Sequence, residues 1–274
     1  MRVWVDGVLM DESEARVSVF DHGLTTGDGV FETVKVVSGR PFALTRHLRR
    51  LGASARGLGL PEPDWGWLRD GLSQLLDSPA IPAVARLRIT LTGGVAPLGS
   101  QRGDSGPTLI LALAPMSPAA ETCDIAVVPW PRNERGPLAG VKTTSYAENV
   151  VALAHAHRYG ASEAVLGNTV DNLCEGTGSN VFLVHGGRLV TPPLQAGCLA
   201  GVTRELVLEW AGAEEEDVAA GALAEAEEAF LTSTARDVQP VRTVDGRALP
   251  CAPGPTTRKT MEIFAQRSGR DSDP

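Results

Sequence analysis

Apolar and polar residues follow two different rhythms along the first part of the chain. At 85–92 leucine and isoleucine alternate with arginine and threonine, which predicts a strand with one buried and one wet face. Over 44–58 apolar residues recur every three or four positions, which predicts an amphipathic helix. An Asp-Gly pair at 6–7, between two short apolar runs, predicts a hairpin over 1–10.

Similar patterns divide the whole chain into two regions, a small N-terminal domain at 1–115 and a C-terminal domain at 122–274. The stretch 116–121, rich in proline, serine and alanine, reads as a linker between them. The other predicted strands are 30–37, 108–114, 124–128, 163–166, 180–184 and 229–232, and the other predicted helices are 65–76, 146–158, 202–212 and 256–267. We expect 212–228 to be a solvated helix with a turn, and the residues from Ser268 onward to be frayed.

Composition excludes several classes of protein. The 274 residues carry 25 Lys plus Arg against 33 Asp plus Glu, a net charge of −8, without the clustered basic residues that a nucleic-acid partner requires. No apolar run approaches the roughly 20 residues of a membrane-spanning helix. The start of the chain lacks the apolar stretch of a secretory signal, so we expect a cytoplasmic protein without a membrane partner. The four cysteines are far apart and the histidines lack chelating spacing, which predicts no metal site.

Common nucleotide and hydrolase motifs are incomplete. The run from Gly94 to Ser100 has P-loop glycines but no lysine to reach a phosphate. Gly176 and Gly178 lack a third glycine at dinucleotide spacing, and no G-x-S-x-G motif occurs. ATP, NAD and serine-hydrolase chemistry are therefore disfavoured.

Four groups of motifs occur in a characteristic order. They are DHGLTTGDGVFE at 21–32, HLRRL at 47–51, KTTSY at 142–146 with EGTGSN at 175–180, and LAGVTR at 199–204. In this order and at these separations the chain, from about residue 3 to 245, resembles the class IV aminotransferases, the fold-type-IV pyridoxal-phosphate enzymes. The resemblance implies an α+β fold with a small N-terminal α/β domain and a larger C-terminal mixed β domain.

The parts that pyridoxal-phosphate chemistry requires can be located. The chemistry needs a lysine for the covalent bond to the cofactor, a carboxylate facing the pyridine nitrogen, and a phosphate cup. Lys142 is one of three lysines, and it alone lies in an uncharged setting that suits a nucleophile and base. Glu175 precedes a glycine-rich turn, where its carboxylate would favour a protonated pyridine nitrogen.

The resemblance assigns the remaining site residues. It implies that Tyr146 bonds the phenolic oxygen of the ring, and that Arg50 and the helix start at Val202 and Thr203 receive the phosphate, with Thr234 beside them. Arginine and free helical N–H groups both suit a phosphate dianion. For the substrate, the family pattern implies Phe31, Arg102 and Ala235.

The reaction itself has more than one interpretation. The short chain and its overall sequence similarity favour an aminodeoxychorismate lyase, which releases pyruvate and p-aminobenzoate for folate biosynthesis, and this is the reaction that we predict. The residues around Lys142 and Thr234 instead resemble those of an aminotransferase that acts on D-amino or branched-chain amino acids. A catalytically silent, ligand-binding relative is a third possibility, which the intact Lys142 and Glu175 oppose. In each enzymatic case the partner is a small amine substrate, and the resemblance implies a homodimer.

Overall fold

The computed structural model describes residues 1–78 and 81–274, which form two compact units. The first unit comprises Met1–Ser117, Val141–Tyr146 and Ser272–Pro274, and the second comprises Pro118–Gly140 and Ala147–Asp271. Both units are discontinuous in sequence. The predicted limits at 115 and 122 stay a prediction, and they do not include this return of the chain to the first unit.

In the first unit, helices pack on an antiparallel sheet. Its elements are β1 (Arg2–Val5), β2 (Val8–Asp11), α1 (His22–Thr25), β3 (Gly29–Val37), β4 (Arg40–Pro41), α2 (Leu44–Leu58), α3 (Trp65–Leu76), β5 (Val84–Thr92) and β6 (Thr108–Pro115). Over the described residues the sheet has six strands in the order β2-β1-β6-β5-β3-β4. Leu87, Ile89 and Leu91 of β5 are buried in the core as the alternation predicts, together with Leu48 and Leu51 of α2.

The second unit is built on a mixed sheet. Its elements are β7 (Cys123–Val127), α4 (Ala147–Arg158), β8 (Glu163–Gly167), β9 (Leu173–Gly176), β10 (Asn180–His185), β11 (Arg188–Thr191), α5 (Val202–Ala211), β12 (Glu214–Glu215), β13 (Glu228–Ser233), β14 (Asp237–Val244), β15 (Arg247–Ala248) and α6 (Pro255–Arg270). Eight strands follow the order β12-β11-β10-β13-β14-β7-β8-β9, and β15 pairs with β14, within the part of the chain that the structure describes. The strands β9, β11, β12, β14 and β15 are not among the predicted elements.

The prediction of a solvated helix over 212–228 is wrong. This stretch contains the short strand β12, which pairs with β11, and a 3-10 turn at Ala220–Glu225. Val218, Leu223 and Ala226 are buried in the core of the second unit. The burial of these side chains explains why the stretch is not a helix, because packing in the core can override the helix propensity of the local sequence.

The prediction of a frayed C-terminal segment is also wrong. Helix α6 continues to Arg270, and the residues after it bind the first turn of α2. The N-cap residue of α2, Ala43, offers no side-chain hydrogen bond, and its N–H donates to the carbonyl of Ser272 at 2.7 Å. The N–H of Thr45 donates to the Asp273 carboxylate at 2.8 Å. Asp273 therefore satisfies a helical N–H that the local sequence leaves without a partner.

Among the described residues, no helix is long and apolar enough to cross a membrane.

Candidate functional site

Lys142 lies in a short segment that is bound to β3 in the first unit. Its carbonyl accepts the N–H of Phe31 at 3.0 Å, and the N–H of Thr144 donates to the carbonyl of Gly29 at 2.7 Å. The N–H of Lys142 donates to Oγ of Ser54 on α2 at 3.2 Å. The backbone of the lysine is thus fixed between a strand and a helix.

Aromatic rings surround the amino group of Lys142. Its Nζ lies 4.3 Å from the centre of the Phe31 ring and 5.8 Å from that of Tyr146. The two rings contact each other edge to face at 5.3 Å. The structure therefore brings together three predicted site residues, and the ring faces can stabilise an ammonium group without neutralising it.

Arg50, predicted to bind phosphate, lies beside a buried carboxylate on the same side of α2 as Ser54. Its Nε and Nη2 each donate to Glu32 at 2.7 Å, and Nδ1 of His47 lies 2.7 Å from the same carboxylate. Burial alone would raise the pKa of Glu32, but the charge and hydrogen bonds of Arg50 and the contact with His47 lower it to about 2. Burial lowers the pKa of His47, so the neutral ring donates from Nδ1 to the carboxylate. Glu32 thus fixes the orientation of the Arg50 guanidinium.

Arg88 lies on β5 beside the Phe31 ring, and the sequence analysis does not identify it as a site residue. Its guanidinium lies 3.7 Å from the centre of the Phe31 ring, and its Nε donates to Oγ1 of Thr90 at 3.2 Å. Within the described ranges it forms no ion pair, and loss of water around it lowers its pKa. The alternating pattern of β5 predicts that Arg88 lies on the solvent-exposed face of the strand. This pattern is the sequence signal that could have identified it.

Arg102, predicted to meet a substrate carboxylate, already holds a carboxylate of the protein. Its Nε and Nη2 donate to Asp28 at 2.7 and 2.6 Å, and its Nη2 also donates to the carbonyl of Leu58 at the end of α2. The hydrogen bonds from Arg102 are the largest cause that lowers the pKa of Asp28. Through these hydrogen bonds Arg102 holds the loop 93–106 against Asp28 and the end of α2 in the first unit.

Glu175 belongs to the second unit, where it lies beside the start of α5. Its Oε2 accepts the N–H of Leu199 at 2.9 Å, and Nε of Arg132 lies 3.6 Å from its Oε1. This Nε is buried and has no hydrogen-bond partner among the described residues, while Nη2 of Arg132 donates to Asn149 at 2.8 Å. A cation beside the carboxylate favours its charged form.

The start of α5 offers backbone donors close to Glu175. Gly201 is its N-terminal cap and has no side chain to bind the N–H groups of the first turn, which contains the buried Val202 and Thr203. A Cβ at Gly201 would lie 1.9 Å from Oδ1 of Asn180, so a close backbone approach requires glycine here. Free N–H groups at a helix start suit an anion.

Thr234 and Ala235 lie in the turn that joins β13 to β14. Because β13 pairs with β10, with Thr232 opposite Asn180, this turn lies at the same end of the sheet as the start of β10. The structure therefore gathers Glu175, Thr234 and Ala235 with the α5 start in the second unit.

Each unit by itself offers groups that suit pyridoxal phosphate. The first unit has a lysine amine among ring faces, which suits the aldehyde of the cofactor. The second unit has a carboxylate beside an arginine and uncapped helical N–H groups, which suit the pyridine nitrogen and the phosphate. No group of three or more His, Cys, Asp or Glu side chains among the described residues could hold a metal ion.

Comparisons with known proteins agree with this chemistry. The family model described as amino-transferase class IV matches residues 29–244. A Methanocaldococcus jannaschii protein, provisionally assigned as a branched-chain-amino-acid aminotransferase, is 34% identical over 96% of this chain and 95% of its own length. A Mycobacterium tuberculosis protein named as a bifunctional aminodeoxychorismate lyase and D-amino acid transaminase is 30% identical over 97% of this chain and 96% of its own.

The fold comparison gives the same result. The crystal structure of the branched-chain aminotransferase from Thermoproteus uzoniensis with norvaline superposes with a TM-score of 0.89 at 32% identity, covering 97% of this chain and 94% of that one. The similarity confirms the predicted fold-type-IV α+β fold. Class IV aminotransferases are pyridoxal-phosphate enzymes, which confirms the predicted cofactor.

Proposed function

The chain belongs to the class IV aminotransferase family, and we propose that it is a transaminase that moves an amino group between an α-amino acid and an α-keto acid. The observation that carries this proposal is Lys142, whose Nζ lies against the Phe31 ring at 4.3 Å in the first unit. The names of the relatives reported above all include aminotransferase or transaminase activity, which supports this choice over the lyase.

Each predicted cofactor residue has a chemical task. Lys142 would form the covalent bond to the cofactor aldehyde, Glu175 would face the pyridine nitrogen, and Tyr146 would bond the phenolic oxygen. Positive charge from Arg50 and donors from the α5 start would compensate the phosphate, and the groups proposed for the phosphate are Arg50, Val202, Thr203 and Thr234. When bound, pyridoxal phosphate withdraws electrons from the α-carbon of an attached amine.

Lys142 would also carry the proton in the reaction. When it is not bonded to the cofactor, its Nζ would be the base that accepts the proton from the substrate α-carbon and the acid that holds this proton for its return. The hydrogen bond from its N–H to Ser54 and that from Phe31 to its carbonyl hold the backbone from which this side chain reaches.

We assign the substrate carboxylate to Arg88 rather than to Arg102. Arg88 stacks on Phe31 and has no carboxylate partner among the described residues, whereas Arg102 is bonded to Asp28. Phe31 would lie along the substrate, and the N–H of Ala235 would be a further donor to it. An arginine on the solvent-exposed face of a sheet, with no carboxylate partner in the described part of the chain, is suited to bind a carboxylate with two parallel hydrogen bonds.

Borohydride trapping tests the role of Lys142. We expect reduction of the cofactor-loaded protein, followed by peptide mass spectrometry, to find the cofactor on Lys142, and Lys142→Ala to lose both the adduct and transamination. Lys259→Ala is the matched control, since Lys259 is exposed on α6. An adduct on another lysine, or none, would contradict the proposal.

The aminodeoxychorismate lyase is the second candidate function. The Mycobacterium tuberculosis relative, 30% identical, is named for both activities, so a single site can be compatible with both. Pyruvate release from aminodeoxychorismate without any added keto acid would support the lyase. Keto-acid-dependent exchange of an amino group, without pyruvate release, would support the transaminase alone.

We also propose a homodimer. Exposed apolar side chains gather at one part of the first unit, with Leu24, Phe20 and Leu98 being 67%, 50% and 73% exposed. The N–H of Ala96 donates to the carbonyl of Phe20 at 3.1 Å, which brings the loop of Leu98 toward Phe20. Exposed apolar patches can mark interaction sites, and an interface between two protein chains is one of them. We expect a dimer in analytical ultracentrifugation and a monomer for Phe20→Glu, and a monomeric parent protein would contradict this.

Cytoplasmic location and a role in folate biosynthesis stay predictions.

A further inference from the structure

Two turns are bonded to one buried carboxylate in the second unit: one follows the strand of Glu175, and the other contains Thr234 and Ala235. The first turn, 177–179, joins β9 to β10 directly after Glu175, and the second, 234–236, joins β13 to β14. The carboxylate belongs to Glu163 at the start of β8, whose side chain is 3% exposed.

Glu163 fixes the first turn through three donors. Its Oε1 accepts the N–H of Thr177 at 3.1 Å and also the Thr177 hydroxyl, and its Oε2 accepts the Ser179 hydroxyl at 3.0 Å. The turn closes tightly, since a Cβ on Gly176 would lie 2.3 Å from Oγ of Ser179. Because glycine-rich turns have little conformational preference of their own, these bonds to the carboxylate stabilise the path of the chain after Glu175, together with the bond from the N–H of Gly176 to the carbonyl of Ser179 at 2.8 Å.

Arg236 connects the second turn to the same carboxylate. Its Nη2 lies 3.3 Å from Oε2 of Glu163, its Nη1 donates to Gln239, and its N–H donates to the carbonyl of Ser233 at 3.2 Å. The guanidinium comes from the residue after Ala235. The ion pair is largely shielded from water, with 20% of the Arg236 side chain exposed, so its interaction is only weakly screened.

We propose that Glu163 and Arg236 are positioning residues that couple the two turns, so that the turn after Glu175 and the turn of Thr234 and Ala235 keep one fixed spacing. This inference rests on the proposed function, because that function places Glu175 and Thr234 at the cofactor and Ala235 at the substrate. A displacement of either turn would then disturb both the cofactor and the substrate carboxylate.

A double-mutant cycle tests the coupling. We expect Glu163→Gln and Arg236→Gln each to weaken pyridoxal-phosphate binding by about 10-fold, the size typical of contacting groups in such cycles. The double variant should also bind pyridoxal phosphate about 10-fold more weakly than the parent protein, because either change alone already breaks the shared ion pair. A loss near the product of the two, about 100-fold, would mean that the residues act independently and would overturn the proposal.

Amide hydrogen exchange of the protein without cofactor gives a second readout. The N–H of Thr177 donates both to Glu163 and to the carbonyl of Ala164, each at 3.1 Å. Arg236→Gln should speed exchange at Thr177 by weakening the hold of Glu163, whereas Arg188→Gln should not. Arg188 is the matched control, because it bonds two carboxylates of the same unit at an exposed site. Unchanged exchange at Thr177 in Arg236→Gln would overturn the coupling, even if Glu163→Gln fails to fold.

Kinetics separate positioning from general stability. Arg236→Gln should raise the KM for the keto acid more than it lowers kcat, and Arg236→Lys should recover most of the loss. A variant that melts earlier but keeps its KM and its cofactor affinity would show a merely structural role. If the parent protein does not transaminate, the proposed function fails, while the exchange experiment still decides the coupling.

Discussion

Replacing Glu32 by glutamine tests the buried cluster beside Lys142 most directly. The Glu32 carboxylate is fully buried and accepts three hydrogen bonds, two from Arg50 and one from His47. Glutamine keeps the size, but its amide nitrogen would face a donor and its charge would be lost. At least one buried donor and the charge of Arg50 would then lack compensation.

The expected loss follows from two independent arguments. Breaking a buried ion pair by removing one partner costs about 3 kcal/mol or more. The pKa of Glu32 is lowered from 4.5 to about 2, and such a shift corresponds to about 3 kcal/mol of stability. Because the folded pKa is the lower one, this stability is present above pH 4.5 and is lost as the pH falls toward 2.

Hydrogen exchange of the α2 and β3 amides is the suitable assay, because an unfolding curve of the whole chain would combine the unfolding of both units. At pH 7 we expect Glu32→Gln to lower the free energy of opening by about 3 kcal/mol. The difference between parent and variant should shrink as the pH is lowered below 4.5. Glu62→Gln is the matched control, because Glu62 bonds Arg56 at an exposed site of the same unit and should have little effect.

Two outcomes would refute this reasoning. One is a loss below about 1 kcal/mol at pH 7, the level of an ordinary exposed pair. The other is a loss that stays constant down to pH 3, which would show that the Glu32 carboxylate is not stabilised in its charged form.

Three further predictions concern the first unit. Asp273→Ala should weaken the first turn of α2 by about 1 kcal/mol, the usual value of a cap, and should speed amide exchange at Thr45. Arg102→Gln should raise the pKa of Asp28 in an NMR titration and loosen the loop 93–106 in hydrogen exchange, while an unchanged pKa would exclude the pair in solution. Arg88→Gln should raise the KM for the keto acid about 10-fold with a smaller change in kcat, as expected when a charged hydrogen bond to the substrate is lost.

Sequence periodicity predicted the local elements where the pattern was regular. The alternation at 85–92 matches β5, and the helical spacing at 44–58 matches α2. The order of the motifs also identified the family and its cofactor, since each motif is a local signal. Irregular stretches were different: 212–228 has helix-forming residues, but the burial of Val218 and Leu223 determined its path.

What the sequence determined by itself is therefore the local structure, the motif order and the identity of Lys142 as the candidate lysine. Only the tertiary structure decided the partners of the charged groups. Arg102 binds Asp28 across 74 positions of sequence, and Arg46 binds the carbonyl of Pro274 across 228. The physical reason is that periodicity depends on neighbours within a few residues, whereas a side chain finds its ion-pair partner only after distant parts of the chain have packed together.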